Sequence, residues 1–326
     1  MTEILRLDTV SDLPASLHGG VVAIGNFDGV HRGHRAVLDK ALDIAKSLGK
    51  PAIVLTFEPH PRTVFAPDTP VFRLTPAPVK AMLLQALGFD AVAEQPFSRE
   101  FAGHTADDFI EHVLLNGLKA AHIVTGFDFH FGKNRQGGPA YLMDAGKRLR
   151  FEVTLVDAFR DEGASVVSSS RIRDCLAQGD VSLAAGLLGY RYTVSSTVIS
   201  GKQLGRTLGF PTANMALAPE NRLAHGIYAV RFRLEDGTMK DSVASFGRRP
   251  TVDDNGAPLL ETYVFDYDGD LYGQTCQVSF FGHLRGELKF DGLEPLMAQM
   301  NRDADEAKAL LSGVKPLSEL DSALCF

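Results

Sequence analysis

The stretch Val21-Val22-Ala23-Ile24-Gly25-Asn26-Phe27-Asp28-Gly29-Val30-His31-Arg32-Gly33-His34 decides how the first half of this chain is read. Its four leading apolar residues are what a strand covered on both faces requires. From 35 to 48 the spacing becomes helical, with Val37, Leu38, Ala41, Leu42, Ala45 and Leu48 on one inner face and Gly49 placed to stop the helix. The turn between them contains glycines, which permit close backbone approach. A helix N-terminus is also a favourable place for phosphate. His31 and His34 stand three residues apart and can converge on one such group. Their imidazole N–H groups would bind charge developing at a phosphoryl centre without forming a covalent bond. The turn matches neither G-x-x-x-x-G-K-[ST] nor G-x-G-x-x-G. Taken alone, H-x-G-H also fits a solvated loop with incidental histidines. Zinc is the weaker reading, because no third ligand clusters nearby.

Outward from this turn, strand and helix patterns alternate. Strands are expected at 52–57, 89–94, 121–125 and 151–156, and helices at 78–87, 106–116 and 138–149. Such alternation predicts a mostly parallel sheet with helices on both faces. Thr125-Gly126-Phe127-Asp128-Phe129-His130-Phe131-Gly132 then lies at the carboxyl end of a strand, where open sheets bind ligands. Its alternating Phe127, Phe129 and Phe131 are also what a strand core would show. Val167-Ser168-Ser169-Ser170-Arg171-Ile172-Arg173 places hydroxyls and two arginines at a helix start. It reads either as a helix cap or as a phosphate site using guanidinium forks.

Two short helices, at 170–178 and 181–187, mark a junction. Beyond it come β-rich runs at 192–199, 226–234, 240–244, 260–265 and 276–284, which predict a small antiparallel barrel or sandwich. A helix over 293–311 follows, and the last dozen residues read as loosely held. Domains of 1–185, including the helical junction, and 186–326 are expected. Gly201-Lys202-Gln203-Leu204-Gly205-Arg206-Thr207-Leu208-Gly209-Phe210-Pro211-Thr212-Ala213-Asn214 reads as a shaped loop or a structural glycine-rich turn. Thr212 and Asn214 supply the hard oxygens that suit Mg2+. Glu261, near a strand start, is either a surface carboxylate or a base for a hydroxyl nucleophile. Asp266, Asp268 and Asp270 lack the full EF-hand spacing and read as turn residues.

The 326 residues suffice for two domains with separate cores. A formal net charge of -7 gives no reason to expect a nucleic-acid partner. Cys175, Cys276 and Cys325 are scattered, with neither metal-ligand nor disulfide-framework spacing, so a reducing, cytoplasmic setting is expected. No apolar run approaches the roughly 20 residues that cross a bilayer. The N-terminus does not read as a signal peptide.

Together these motifs resemble the bacterial bifunctional riboflavin kinase/FMN adenylyltransferase, or FAD synthetase, family. In the first half the resemblance rests on the H-x-G-H turn, Thr56-Phe57-Glu58-Pro59-His60-Pro61, the segment 126–132 and the segment 168–173. In the second it rests on Gly209-Phe210-Pro211-Thr212-Ala213-Asn214, Gly226-Ile227-Tyr228, Gly247-Arg248-Arg249-Pro250-Thr251, Leu260-Glu261 and the segment 284–290. It implies a Rossmann-like α/β nucleotidyltransferase domain followed by a β-barrel riboflavin kinase domain with a C-terminal helix. It further implies that Asn26, His31 and His34 contact ATP phosphates within a cofactor-binding turn that includes Gly25 and Phe27, with Asp28 organising it. Gly126 and Asp128 would lie near the nucleotide or flavin, and Ser168, Ser169 and Arg173 on the ATP side. In the kinase half, Gly209 and Pro211 would shape the cofactor loop, and Thr212 and Asn214 would position Mg2+ and ATP. Glu261 would be the base for the riboflavin 5'-hydroxyl, and Arg285 would help place flavin or a loop. Riboflavin, FMN and FAD are the implied substrates and products, ATP the co-substrate, and a monomer or weak homo-oligomer the implied state. The family commonly has Asn-Ile-Gly where this chain has Ser245-Phe246-Gly247. That departure motivates one alternative, an adenylyltransferase with a weak or silent kinase domain; a separate alternative, a non-catalytic flavin-binding regulatory protein, is opposed by the two phosphate-handling constellations.

Overall fold

The computed structural model describes residues 4–200, 210–248 and 258–326. The chain divides into two units, Met1–Ser168 and Ser169–Phe326. In the first, β1 (Leu5–Leu7), β2 (Val21–Ile24), β3 (Ala52–Glu58), β4 (Ala91–Pro96), β5 (His122–Gly126) and β6 (Glu152–Val156) form one sheet in the order β1-β4-β3-β2-β5-β6. Every pairing is parallel. β2 is buried along its whole length, which is why its sequence is an unbroken apolar run. Ile24 is level with Leu55 of β3 on one side and Thr125 of β5 on the other. The strand order reverses at β2, so the carboxyl ends of β2 and β5 frame the crevice where open α/β sheets take ligands.

Helix α1 (Arg32–Leu48) starts earlier than its apolar spacing suggests, because His31 serves as its N-cap. Val37, Leu38, Ala41 and Ala45 are buried as expected. Leu48 is exposed instead, in the last turn, and Gly49 at φ 60° ends the helix in the left-handed conformation. Helices α2 (Pro61–Phe65) and α3 (Ala77–Leu87) follow β3. Helix α4 (Ala106–Asp108) continues with π spacing through Phe109–Gly117, and α5 (Pro139–Leu149) leads into β6.

The second unit opens with α6 (Ser169–Ala177) and α7 (Val181–Leu188). It then closes a barrel, not a sandwich, from β7 (Thr193–Ile199), β8 (Thr212–Ala216), β9 (Gly226–Arg233), β10 (Met239–Arg248), β11 (Pro258–Val264) and β12 (Thr275–Arg285). Neighbours in the order β10-β11-β8-β7-β12-β9 pair antiparallel. Tyr228, Val230, Phe232, Phe246, Leu260, Cys276, Val278 and Phe280 alternate along their strands and are fully buried, filling the interior. The segment expected to be loop as far as Asn214 is already strand from Thr212. Gly209, with the rest of 201–209, lies outside the described residues.

Helices α8 (Leu293–Ser312) and α9 (Glu319–Cys325) complete the unit. The chain end expected to be loose is anchored. Buried Asp321 accepts hydrogen bonds from the backbone amides of Arg191 and Leu317, both at 2.8 Å, and pairs with the Arg191 guanidinium. Arg231 donates to the Cys325 carbonyl at 2.9 Å, and Arg233 to those of Ala323 and Leu324 at 3.0 and 3.1 Å. These arginines satisfy carbonyls that a helix end leaves without partners. Asp321→Ala would strand the buried Arg191 charge and should destabilise the second unit by about 3–5 kcal/mol. Denaturant unfolding of the full chain, followed by a probe in the barrel, checks this; a shift within error of zero would contradict the anchor.

Candidate active sites

In the first unit the turn after β2 is tightly built. His31 is buried, and its Nδ1 accepts from the His34 amide at 3.2 Å. That bond leaves the ring proton on Nε2, the donor face. The His31 and His34 rings stack with centroids 3.5 Å apart, and Phe27 packs edge-on against His34 at 5.4 Å. Gly25 leaves room for Phe27, since a Cβ there would meet its ring at 2.9 Å. Gly33 serves His31 likewise: a Cβ would come within 3.1 Å of the imidazole and of the Val167 carbonyl. The residue before Ser168 therefore lies against the start of α1. Phe27 and Val30 hold left-handed φ values of 46° and 38°, costly for side-chain-bearing residues and most of all for a β-branched one.

Beneath the turn sits a cluster of charges. Asp28 Oδ1 accepts from the Thr75 amide at 3.0 Å and from Arg73 Nε at 3.5 Å, while the Gly29 amide donates to Thr75 Oγ1 at 2.8 Å. Arg73 forks onto both Glu58 carboxylate oxygens at 2.8 Å. Lys80, almost fully buried in α3, donates to Glu58 at 3.0 Å and to Thr56 Oγ1 at 2.8 Å. Thr56 in turn donates to the Asn26 carbonyl at 3.1 Å. Burial pushes the Glu58 carboxyl up, but the Arg73 hydrogen bond and the charges of Lys80 and Arg73 outweigh it and hold it at about 2.

The segment after β5 leaves the sheet beside this turn, because Ile24 and Thr125 are register partners. It turns at once and does not continue as strand: the Phe129 amide donates to the Gly126 carbonyl at 3.1 Å. Phe127 is exposed, Phe131 is buried, and Phe129 is partly buried against the core. Asp128 is exposed, and its Oδ1 lies 3.1 Å from where a Cβ on Gly126 would stand. Ser168 closes the first unit, whereas Ser169 and Arg173 stand on α6 of the second.

On the barrel, one cross-strand register row brings Arg285, Glu261 and Asn214 level. Arg285 is level with Ile227, Ile227 with Ser245, Ser245 with Glu261, and Glu261 with Asn214. Glu261 and Tyr263 alternate with the interior residues Leu260, Thr262 and Val264, so the row lies on the outer face. Thr212 is level with Tyr263 on that face. Asn214 Nδ2 donates to the Thr212 carbonyl at 3.3 Å. Pro211, just before β8, is exposed. The Arg285 guanidinium is committed to buried Asp303 of α8, at 2.9 and 2.6 Å. Among the described residues no three His, Cys, Asp or Glu side chains group to hold a metal. Thr212 and Asn214 nonetheless present the neutral oxygen chemistry that fits Mg2+ when nucleotide phosphates supply the charge.

Comparison with known proteins also finds two parts in the chain. A family model for FAD synthetase matches residues 13–171, and one for riboflavin kinase matches 188–311. A bifunctional riboflavin kinase/FMN adenylyltransferase of Haemophilus influenzae is 41% identical over 91% of this chain and 96% of its own length. The chain belongs to the bifunctional riboflavin kinase/FMN adenylyltransferase family. Other members of this family from Escherichia coli K12 and Bacillus subtilis are 38% and 35% identical over 93% and 90% of this chain, and over 96% and 93% of their own lengths. A solved structure described as a macrolide-efflux protein from Streptococcus pneumoniae has the same fold, with a TM-score of 0.82 and 28% identity over 94% of this chain and 99% of its own. Among the described residues of this family member, no helix is long and apolar enough to cross a membrane.

Sequence reasoning missed Arg73, Thr75 and Lys80. The single available signal was a lysine among Val79, Ala81, Leu83 and Leu84 on an otherwise buried helix. The depressed Glu58 carboxyl sets a pH dependence. Its stabilisation is complete above the ordinary value of 4.5 and is lost as pH falls from there to about 2. In this flavin-enzyme family member, Glu58→Gln should therefore flatten the acid limb of first-unit stability across that window. Hydrogen exchange of β3 amides reads it, and an unchanged acid limb would contradict the assignment.

Proposed function

We propose that the two units act in sequence on one flavin. In the second, the riboflavin 5'-hydroxyl oxygen attacks the ATP γ-phosphorus, the bond to the β–γ bridging oxygen breaks, and FMN and ADP form. Glu261 takes the hydroxyl proton. Thr212 and Asn214 would hold Mg2+, which offsets phosphate charge when bound. Gly209 and Pro211 are assigned to the same cofactor-binding segment. Arg285, held by Asp303, positions its own loop rather than contacting flavin charge. In the first unit, an FMN phosphate oxygen attacks the α-phosphorus of a second ATP. The bond to the α–β bridging oxygen breaks, pyrophosphate leaves, and FAD forms.

Asn26, His31 and His34 would receive the ATP phosphates within the turn built by Gly25, Phe27 and Asp28. The histidines act as electrostatic donors rather than nucleophiles. Gly126 and Asp128 line the nucleotide or flavin side, and Ser168, Ser169 and Arg173 the ATP side. Functional domains of 1–185 and 186–326 accommodate this division. The buried, free cysteines fit a reducing cytoplasm, burial pushing the Cys325 thiol up to about 11. A monomer or weak homo-oligomer is the state we assign, with neither nucleic acid nor membrane as a partner.

One observation carries the adenylyl-transfer assignment. His31 caps α1 and its ring stacks on His34 at the sheet's switch point, where a helix N-terminus and imidazole donors would serve one bound phosphate. A product time course from riboflavin, ATP and Mg2+ tests the whole reading: FMN should appear first and FAD after it. FMN without FAD would count against the first site, and no FMN against the second. His31→Ala should slow FAD formation about a hundredfold, the loss of roughly 3 kcal/mol of transition-state stabilisation. Near-normal turnover in a folded variant would contradict that role. Glu261→Ala should cut riboflavin phosphorylation at least about a hundredfold, while FMN supplied directly is still converted to FAD. Normal kinase turnover would exclude Glu261 as the base.

A further inference from the structure

The strained turn that carries His31 cannot hold itself. Phe27 and Val30 occupy left-handed backbone regions, and such residues persist only where the surroundings over-determine them. Their buried side chains supply part of that constraint. The rest comes from three charges and two hydroxyls assembled from three separate places outside the turn. Thr56 and Glu58 come from the end of β3, Arg73 and Thr75 from the approach to α3, and Lys80 from its second turn. Arg73 bridges Glu58 and Asp28. Thr75 binds the turn twice, through its amide to Asp28 and its hydroxyl to the Gly29 amide. Lys80 holds Thr56, whose hydroxyl fixes the Asn26 carbonyl. Counting Asp28 of the turn, two anions and two cations balance, so the cluster adds no net charge beneath the proposed phosphate-binding turn.

We propose that Arg73 and Lys80, acting through Glu58, Thr56 and Thr75, are positioning residues for adenylyl transfer: they clamp the turn at Asn26, Asp28 and Gly29 and thereby aim His31 and His34. This rests on the adenylyl-transfer reading above and extends it to residues that touch neither substrate. Arg73 is suited to the work because its planar fork engages both Glu58 oxygens while its Nε reaches Asp28. Lysine at that position keeps the charge but cannot make all three contacts. The clamp acts on geometry, so its loss should appear in the chemical step rather than in nucleotide capture, as displacement of a reacting group by about 1 Å can cost on the order of a hundredfold.

Full-length Arg73→Met, Arg73→Lys and Lys80→Met proteins test the proposal with the chain's own kinase reaction as internal control. FAD formation from FMN should lose kcat by about a hundredfold in Arg73→Met, with KM for ATP and FMN changed less than about threefold. Arg73→Lys should recover part of kcat, and Lys80→Met should fall in the same direction. Riboflavin phosphorylation should be unchanged in all three. A ring-nitrogen NMR spectrum of the substrate-free protein supplies a second readout: the His31 pattern of acceptor Nδ1 and protonated Nε2 should be lost or broadened in Arg73→Met. Unchanged kcat in a folded Arg73→Met, or a KM rise at constant kcat, would overturn the proposal. So would a kcat loss that disappears once the unfolded fraction is subtracted. If the wild-type chain formed no FAD at all, the activity reading would fall instead. The histidine spectrum alone would then decide whether the cluster aims the rings: retention of the wild-type pattern in Arg73→Met rejects the clamp, and its loss supports it.

Discussion

A parallel strand ends at a sheet edge, and the helix that follows begins with amides that have no intrahelical partner. In the first unit β2 must hand its chain to α1 across the few residues from Gly25 to His31, at the one place where the strand order reverses. The chain meets this constraint with an imidazole. His31 caps α1 through Nδ1, and the same ring is left with Nε2 as a donor. A structural duty and the chemical duty proposed for His31 therefore meet in one side chain. The glycines on either side, the left-handed Phe27 and Val30, and the charge cluster from β3 to α3 all follow from holding that ring in that place.

The second unit solves a different problem. A closed barrel has no edge and fills its interior mostly with apolar side chains, so the charged Glu261 stands on the outer face. Glu261 and Asn214, far apart in sequence, become direct cross-strand neighbours there, with Ser245 on the other side of Glu261. The residue at which this chain departs from the family's usual Asn-Ile-Gly thus adjoins the proposed base. Helices α8 and α9 then bind the barrel's other flanks through Asp303 and Asp321, each a buried carboxylate facing an arginine.

The alternating architecture was legible because β2 and β3 are buried on both faces and α1 carries an uninterrupted apolar stripe. The His31 turn was legible because glycines, histidines and a helix start coincide within ten residues. Thr212 was not legible as strand, since the glycines before it and the proline at 211 read as loop, and its pairing with Tyr263 is a long-range fact. The end of the chain looked loose because no local pattern shows that Asp321 meets Arg191, 130 residues earlier. Arg73 and Thr75 carried no local signal for the same reason: their partners, Glu58 and Asp28, are fixed only once the β3-to-α3 connection has folded back under the turn.

Closure of the barrel has a consequence for how its outer row tolerates error. In an open sheet an edge strand can slide against one neighbour, but here β11 is held by β10 and β8 together, and each of those is held in turn around the ring. A one-residue slip would exchange Glu261 with Leu260, sending a carboxylate into the apolar interior and an apolar residue into solvent. The placement of the proposed chemistry is thus digital rather than graded: the apolar core also proofreads the alignment of the outer row.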